Sequence, residues 1–198
     1  MCMIVYLLRH GKDDATVRGG WSKSGLTDEG LAQVGELVGH IAAHQNELAI
    51  TRIVSSDLPR TIQTSMPISD ILDINIELKP DFRETNNGVF AGMKNEIANE
   101  KYPGLFWNTL AWDEPYPQGE SPCAFYNRIK TAWNEFSEEI IKSDQNVLLV
   151  THGGVINVIF SLIDGLPYSN KSKTAPIPHA TLIPIQYENG IWKIMFKR

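Results

Sequence analysis

Three short polar clusters carry residue types that could do chemistry together: Arg9-His10-Gly11, Ser55-Ser56-Asp57-Leu58-Pro59-Arg60 and Thr151-His152-Gly153-Gly154. Arginine offers a planar fork of donors matched to phosphate oxygens. A neutral imidazole is a competent nucleophile, and covalent catalysis splits one difficult step into two. Glycine lets backbone N–H groups approach an anion closely. Two arginines, two histidines and several glycines therefore suit a phosphoryl group. No aspartate cluster suited to magnesium accompanies them, so positive charge must come from side chains.

Each cluster follows an apolar run, and that pattern is what could bring them together. Ile4–Leu8 reads as a buried strand, Val147–Val150 as another apolar strand, and Ile50–Val54 as a strand less purely apolar because of Thr51 and Arg52. Parallel strands would deliver all three clusters to one edge, where open α/β sheets bind ligands. Helical spacing runs from Thr27 to about Ala43, with an N-cap region at Thr27-Asp28-Glu29-Gly30. A second helix is expected from Leu58 to about Leu72, kinked or shortened by Pro67. Ser121-Pro122 opens a third, which runs to about Lys142. Gly154–Ile163 is a fourth. Ile74–Leu78 alternates as a further strand. Thr181–Gln186 and Ile191–Phe196 flank Asn189-Gly190 and read as a terminal hairpin. Pro184 suggests that the first of those strands lies at a sheet edge. Glu96–Pro117 is irregular and aromatic. Strands alternating with helices predict an α/β fold of three layers, α/β/α, around a mostly parallel central sheet. Residues 1–198 are expected to form one domain.

The motifs also resemble those of a known family, the histidine phosphatase superfamily in its phosphoglycerate mutase-like branch. Leu8-Arg9-His10-Gly11 is similar to its N-terminal signature, and Ser55 to Thr64 to its second arginine motif. Arg83 to Gly92 resembles its acid-bearing loop, and Thr151 to Ile156 its second histidine motif. Gly119-Glu120-Ser121 matches a weaker signature. A lone histidine after a strand is more often structural, but four motifs in order are specific. The resemblance implies that His10 becomes phosphorylated, with its other ring nitrogen held by a backbone carbonyl. It implies that Arg9, Arg60 and His152 hold phosphoryl oxygens, and that Glu84 is the general acid and then the base. Arg18 and Gly153 are added as phosphate- or substrate-binding candidates. No metal or organic cofactor is implied.

The stretch after His10 departs from the pattern. Lys12-Asp13-Asp14 stands where Glu or Gln followed by Thr or Ser is usual, and the path to Gly20-Trp21 is short. This bears on substrate choice more than on the reaction. The resemblance implies a phosphomonoester hydrolase acting on a small phosphorylated metabolite. The rivals are a phosphoglycerate mutase-type isomerase, which the short chain disfavours, and a phosphate-binding pseudoenzyme with a protein partner. His179 is read as structural or as a substrate contact, and the aromatics between Tyr102 and Tyr116 as a lid or a satellite core. Glu36, His40 and His44 share a helical face that is more often solvated than metal-binding.

The bulk properties agree. The 198 residues are 42% hydrophobic and 21% charged, which are ordinary globular values. A net charge of −5 argues against nucleic acid as a partner. No apolar run approaches a membrane span, and two cysteines are too few for a disulfide framework. A cytoplasmic protein is expected, with a homodimer possible through an edge strand or an aromatic surface.

Overall fold

A computed structural model of the chain describes residues 3–172 and 176–195. The apolar runs become strands β1 (Met3–Arg9), β2 (Ile50–Ser55), β3 (Ile76–Leu78), β4 (Asn146–Thr151), β5 (Leu182–Glu188) and β6 (Ile191–Ile194). They form one six-stranded sheet in the order β3-β2-β4-β1-β5-β6. β3, β2, β4 and β1 run parallel, while β5 and β6 are antiparallel additions.

Alternation along the strands divides the core into two faces. Val5, Leu7, Val147 and Leu149 point to the side covered by helices α5 (Pro122–Ser143) and α6 (Gly153–Asp164). Tyr6, Leu8, Leu148 and Val150 point to the side covered by α1 (Asp28–Ala43) and α3 (Pro59–Leu72). The architecture is therefore the expected α/β/α. Short helices α2 (Gln45–Leu48) and α4 (Asn95–Lys101) complete the set. No described helix is long and apolar enough to cross a membrane.

The helix ends follow their cap chemistry. Thr27 accepts from the Gly30 N–H at 3.1 Å, and Ser121 from the Ala124 N–H at 3.1 Å. Four expectations need correction. Pro67 does not shorten α3, which continues to Leu72. Its missing N–H falls outside the buried stripe of Arg60, Thr61, Thr64, Ser65 and Ile68, so water can serve the freed carbonyl. Pro184 is not on an edge strand, because β5 pairs with both β1 and β6. The backbone N and C=O of a strand residue face the same side. The Pro184 carbonyl accepts from Met195, just past the end of β6, so the absent donor costs no ladder bond. The segment after Glu96 is not wholly irregular, since α4 lies within it. The third strand begins at Ile76 rather than Ile74. Phe196, expected to close the hairpin, lies outside the described residues.

Candidate active site

The parallel order of β2, β4 and β1 carries the three polar clusters to one sheet edge. Arg9 ends β1 and pairs with Thr151, which ends β4; Ser55 ends β2 beside Val150. The His10 N–H donates to the Thr151 carbonyl at 3.0 Å, and the Ser56 N–H to the Val150 carbonyl at 2.9 Å. The sheet ladder thus extends one residue into each cluster, which fixes where the side chains start.

His10 is 4% exposed. Its Nδ1 lies 2.7 Å from the Gly11 carbonyl, an acceptor only, so Nδ1 carries the proton. Its Nε2 accepts from Arg60 Nε at 3.2 Å and therefore holds the free lone pair. One tautomer is set from both sides. Burial, then the positive charges of Arg60 and Arg9, push its pKa well below 6.5, so the ring is neutral near pH 7.

Arg60 is 1% exposed and sits in the first turn of α3, just after Pro59. Nη2 donates to the Gly20 carbonyl at 2.7 Å, and Nε lies 3.5 Å from the Asp13 carboxylate. Arg9 donates from Nη1 to the Ile177 carbonyl at 2.6 Å. His152 is the N-cap residue of α6 and is fully buried. Its Nε2 is hydrogen-bonded to Ser56 Oγ at 3.0 Å, and its ring lies edge-on to His10 at 5.1 Å. Burial, then Arg60, depresses its pKa strongly. His152 is thus neutral in the free protein.

Glu84 reaches the same edge from the loop after a 3₁₀ turn at Pro80–Phe82. Its carboxylate accepts from the Gly154 N–H at 3.0 Å and the Thr85 N–H at 3.1 Å. A Cβ on Gly154 would come within 2.2 Å of Glu84 Oε1, so only glycine leaves room for this contact. The loop is tied from behind. Arg128 of α5 donates to the carbonyls of Asp81, Arg83 and Glu84 and forks onto Glu120. Arg83 forks onto Asp57 and stacks over Trp21 at 4.7 Å. Gly88 has a φ of +54°, and a Cβ there would meet the Pro117 carbonyl at 2.0 Å. Asp57, Arg83, Gly88 and Glu120 lie within the sequence motifs, whereas Arg128, which ties them together, belongs to none of them.

A cavity of about 580 Å³ opens beside Arg9, Glu84 and Gly153. Arg18 lines it too, with Nη2 on Asn99 at 2.7 Å and its guanidinium 4.6 Å over Phe106. Its Nε is buried with no hydrogen-bond partner among the described residues. Trp107 and Tyr116 serve two purposes, lining the cavity and packing with Phe90, Ala98 and Leu110. His10 and His152 are buried rather than exposed at the cavity wall.

Around His10, three buried polar atoms have no hydrogen-bond partner among the described residues: Arg9 Nε, His152 Nδ1 and His179 Nε2. Buried polar groups are normally satisfied, so this density of orphans marks a place built for a polar ligand. A ring nitrogen of His10, another of His179 and a carboxylate oxygen of Asp13 also lie within 4.8 Å of one another. Those ligand types could hold a metal, but the Arg60 and Arg9 charges facing the same space favour an anion. His40 and His44 stack at 4.3 Å on the exposed face of α1, and Glu36 is exposed there too.

Comparison with known proteins gives a consistent result. The family model described as histidine phosphatase superfamily (branch 1) matches residues 5–197. A protein of Proteus mirabilis (strain HI4320) named probable phosphoglycerate mutase GpmB is 30% identical over 195 residues, covering 95% of this chain and 86% of its own. The solved mycobacterial glucosyl-3-phosphoglycerate phosphatase superposes with a TM-score of 0.77 at 22% identity, covering 98% of both chains. The alpha-ribazole phosphatase from Shigella flexneri gives 0.79 at 20% identity, covering 97% of this chain and 94% of its own.

Proposed function

This chain belongs to the histidine phosphatase superfamily, branch 1, and on that premise we propose that it hydrolyses phosphate monoesters of small metabolites through a phosphohistidine on His10. The observation that carries the reading is the state of His10: neutral, with Nδ1 tied to Gly11 and Nε2 presented beside Arg60. A nucleophile needs that lone pair at neutral pH.

The steps follow from the geometry. Nε2 of His10 attacks phosphorus, and the bond from phosphorus to the ester oxygen breaks. Arg9, Arg60 and His152 hold the non-bridging oxygens, since phosphoryl transfer needs mainly positioning and charge stabilisation. The α6 N-terminus behind His152, beginning with Gly153, adds its dipole. Glu84 gives its proton to the leaving oxygen. It then takes a proton from water, whose oxygen attacks phosphorus as the P–N bond breaks. The proton taken from water restores the acid form of Glu84, and phosphate then departs. Arg18 and the aromatic wall lie where the leaving group would extend.

The test is release of inorganic phosphate from a panel of phosphomonoesters with EDTA present, alongside acid-labile ³²P labelling of the protein. Turnover and label are expected for the wild type and neither for His10→Ala. Turnover retained by that variant would sink the assignment. The mutase reading draws on relatives such as the Proteus mirabilis protein, and it predicts isomerisation that depends on a bisphosphate primer in place of net phosphate release.

A further inference from the structure

We propose that the Asp13 carboxylate is the protein's own anion in the phosphoryl-oxygen site, and that it weakens the hold of this site on dianions. The inference rests on the reading of His10, Arg9 and Arg60 as a phosphate site, and it adds a determinant of what that site binds.

Position 13 stands where the family resemblance expects a neutral hydroxyl residue. The substitution places one extra negative charge among the groups that would meet phosphate. Its Oδ2 is 3.5 Å from Arg60 Nε, the same atom that donates to His10 Nε2. Its carboxylate also lies within 4.8 Å of ring nitrogens of His10 and His179. Phosphorus must come to about 3–3.5 Å from Nε2 for attack. Its non-bridging oxygens then fall in the space the carboxylate now shares with Arg60. The carboxylate and a phosphoryl dianion are therefore competitors for one guanidinium.

The charges facing Asp13 are known from every side. Arg60 comes from α3, Arg9 from β1, and His10 and His179 from the loops beside them. Lys12, its neighbour in sequence, is engaged by Glu29 of α1. Glu84 acts on the same two arginines, Arg9 and Arg60. Asp13 is the member with a way out: its side chain is 20% exposed, against 2% for Arg60. On binding, it must turn toward solvent or gain a proton. His179 Nε2, buried and unpartnered among the described residues, is then free to donate to a phosphoryl oxygen.

Sulfate is the probe, because it stays a dianion across the working pH range and cannot react. Its affinity is measured by calorimetry at pH 8 and constant ionic strength on the full chain. The proteins are wild type, Asp13→Asn, Asp13→Thr and the control Asp14→Asn, which removes the same charge from an exposed neighbour. Both Asp13 variants are expected to bind about tenfold tighter than wild type, with Asp14→Asn unchanged. A purely structural role for Asp13 cannot produce tighter binding, and melting curves identify any variant that fails to fold, leaving the other to decide. Equal or weaker binding by a folded Asp13 variant overturns the proposal while leaving the phosphate site intact. A matching gain in Asp14→Asn also overturns it, by tracing the effect to net charge. Absence of sulfate binding in all four proteins overturns the proposal together with the phosphate reading beneath it.

Discussion

The two ends of the candidate site are built by different means. The end around His10 is made from the tips of three adjacent parallel strands, is buried, and holds its histidines neutral. The end around Trp107 and Tyr116 is made from irregular chain, is partly open, and carries aromatic rings with Arg18 at its edge. A strand tip is positioned by the whole sheet, whereas a loop wall can change without disturbing the core. The first end suits a reaction shared across a family, and the second a choice of leaving group particular to one protein.

The sharpest way to break this division is to damage each end and compare. His10→Ala should reduce turnover about 10⁴-fold or more for every ester tested, measured as phosphate release. Gly154→Ala should cost about a hundredfold in kcat by forcing Glu84 from its place, because misplacing a catalytic group by about 1 Å has that effect. Its melting temperature should move little, and a loss of kcat confined to one ester would contradict the role given to Glu84. Trp107→Ala, at the other end, should raise KM about tenfold for a bulky ester. It should leave the hydrolysis of a minimal phosphate ester nearly unchanged, and equal losses for both esters would erase the division.

Acid should act on the buried end alone. His10 and His152 both have pKa values held well below 6.5 in the folded chain, chiefly by burial. The unfolded chain therefore binds more protons in the window below pH 6.5, so stability falls as pH drops through it. Urea titrations at pH 7.5 and 5.5 should show that fall, and His152→Asn should flatten it. The smallest effect is expected at a helix end: Thr27→Ala should cost about 1 kcal/mol of stability by removing the α1 cap, read as a shift in the urea midpoint.

What was legible in the sequence follows the same division. The strands that end in Arg9 and Thr151 are marked by continuous apolar runs, that ending in Ser55 by a run broken at Thr51 and Arg52, and the residues beyond them are motifs with fixed spacing. Both signals are local, so the sheet edge and its main side chains could be read directly. The helix α4 was not readable, because Asn95–Lys101 is polar and buries only Ala98, which gives no period to detect. Nor was the role of Gly154 visible, since it depends on a 2.2 Å conflict with a side chain from a distant loop. Arg128 looks like any helix-surface arginine until α5 is laid against the loop at Asp81–Glu84. Asp13 stood out only as a departure from a motif. Its meaning came from the guanidinium beside it.

The strand order also has a consequence for how the site comes into being. β4, the strand between β1 and β2, is supplied by residues 146–151, long after its two neighbours in the chain. A growing polypeptide that has completed β1 and β2 cannot bring Arg9 beside Ser55, because the spacer between them has yet to be made. Contacts so distant in sequence form late and slowly. The buried end of the candidate site is complete only once residues 146–151 have been inserted between β1 and β2.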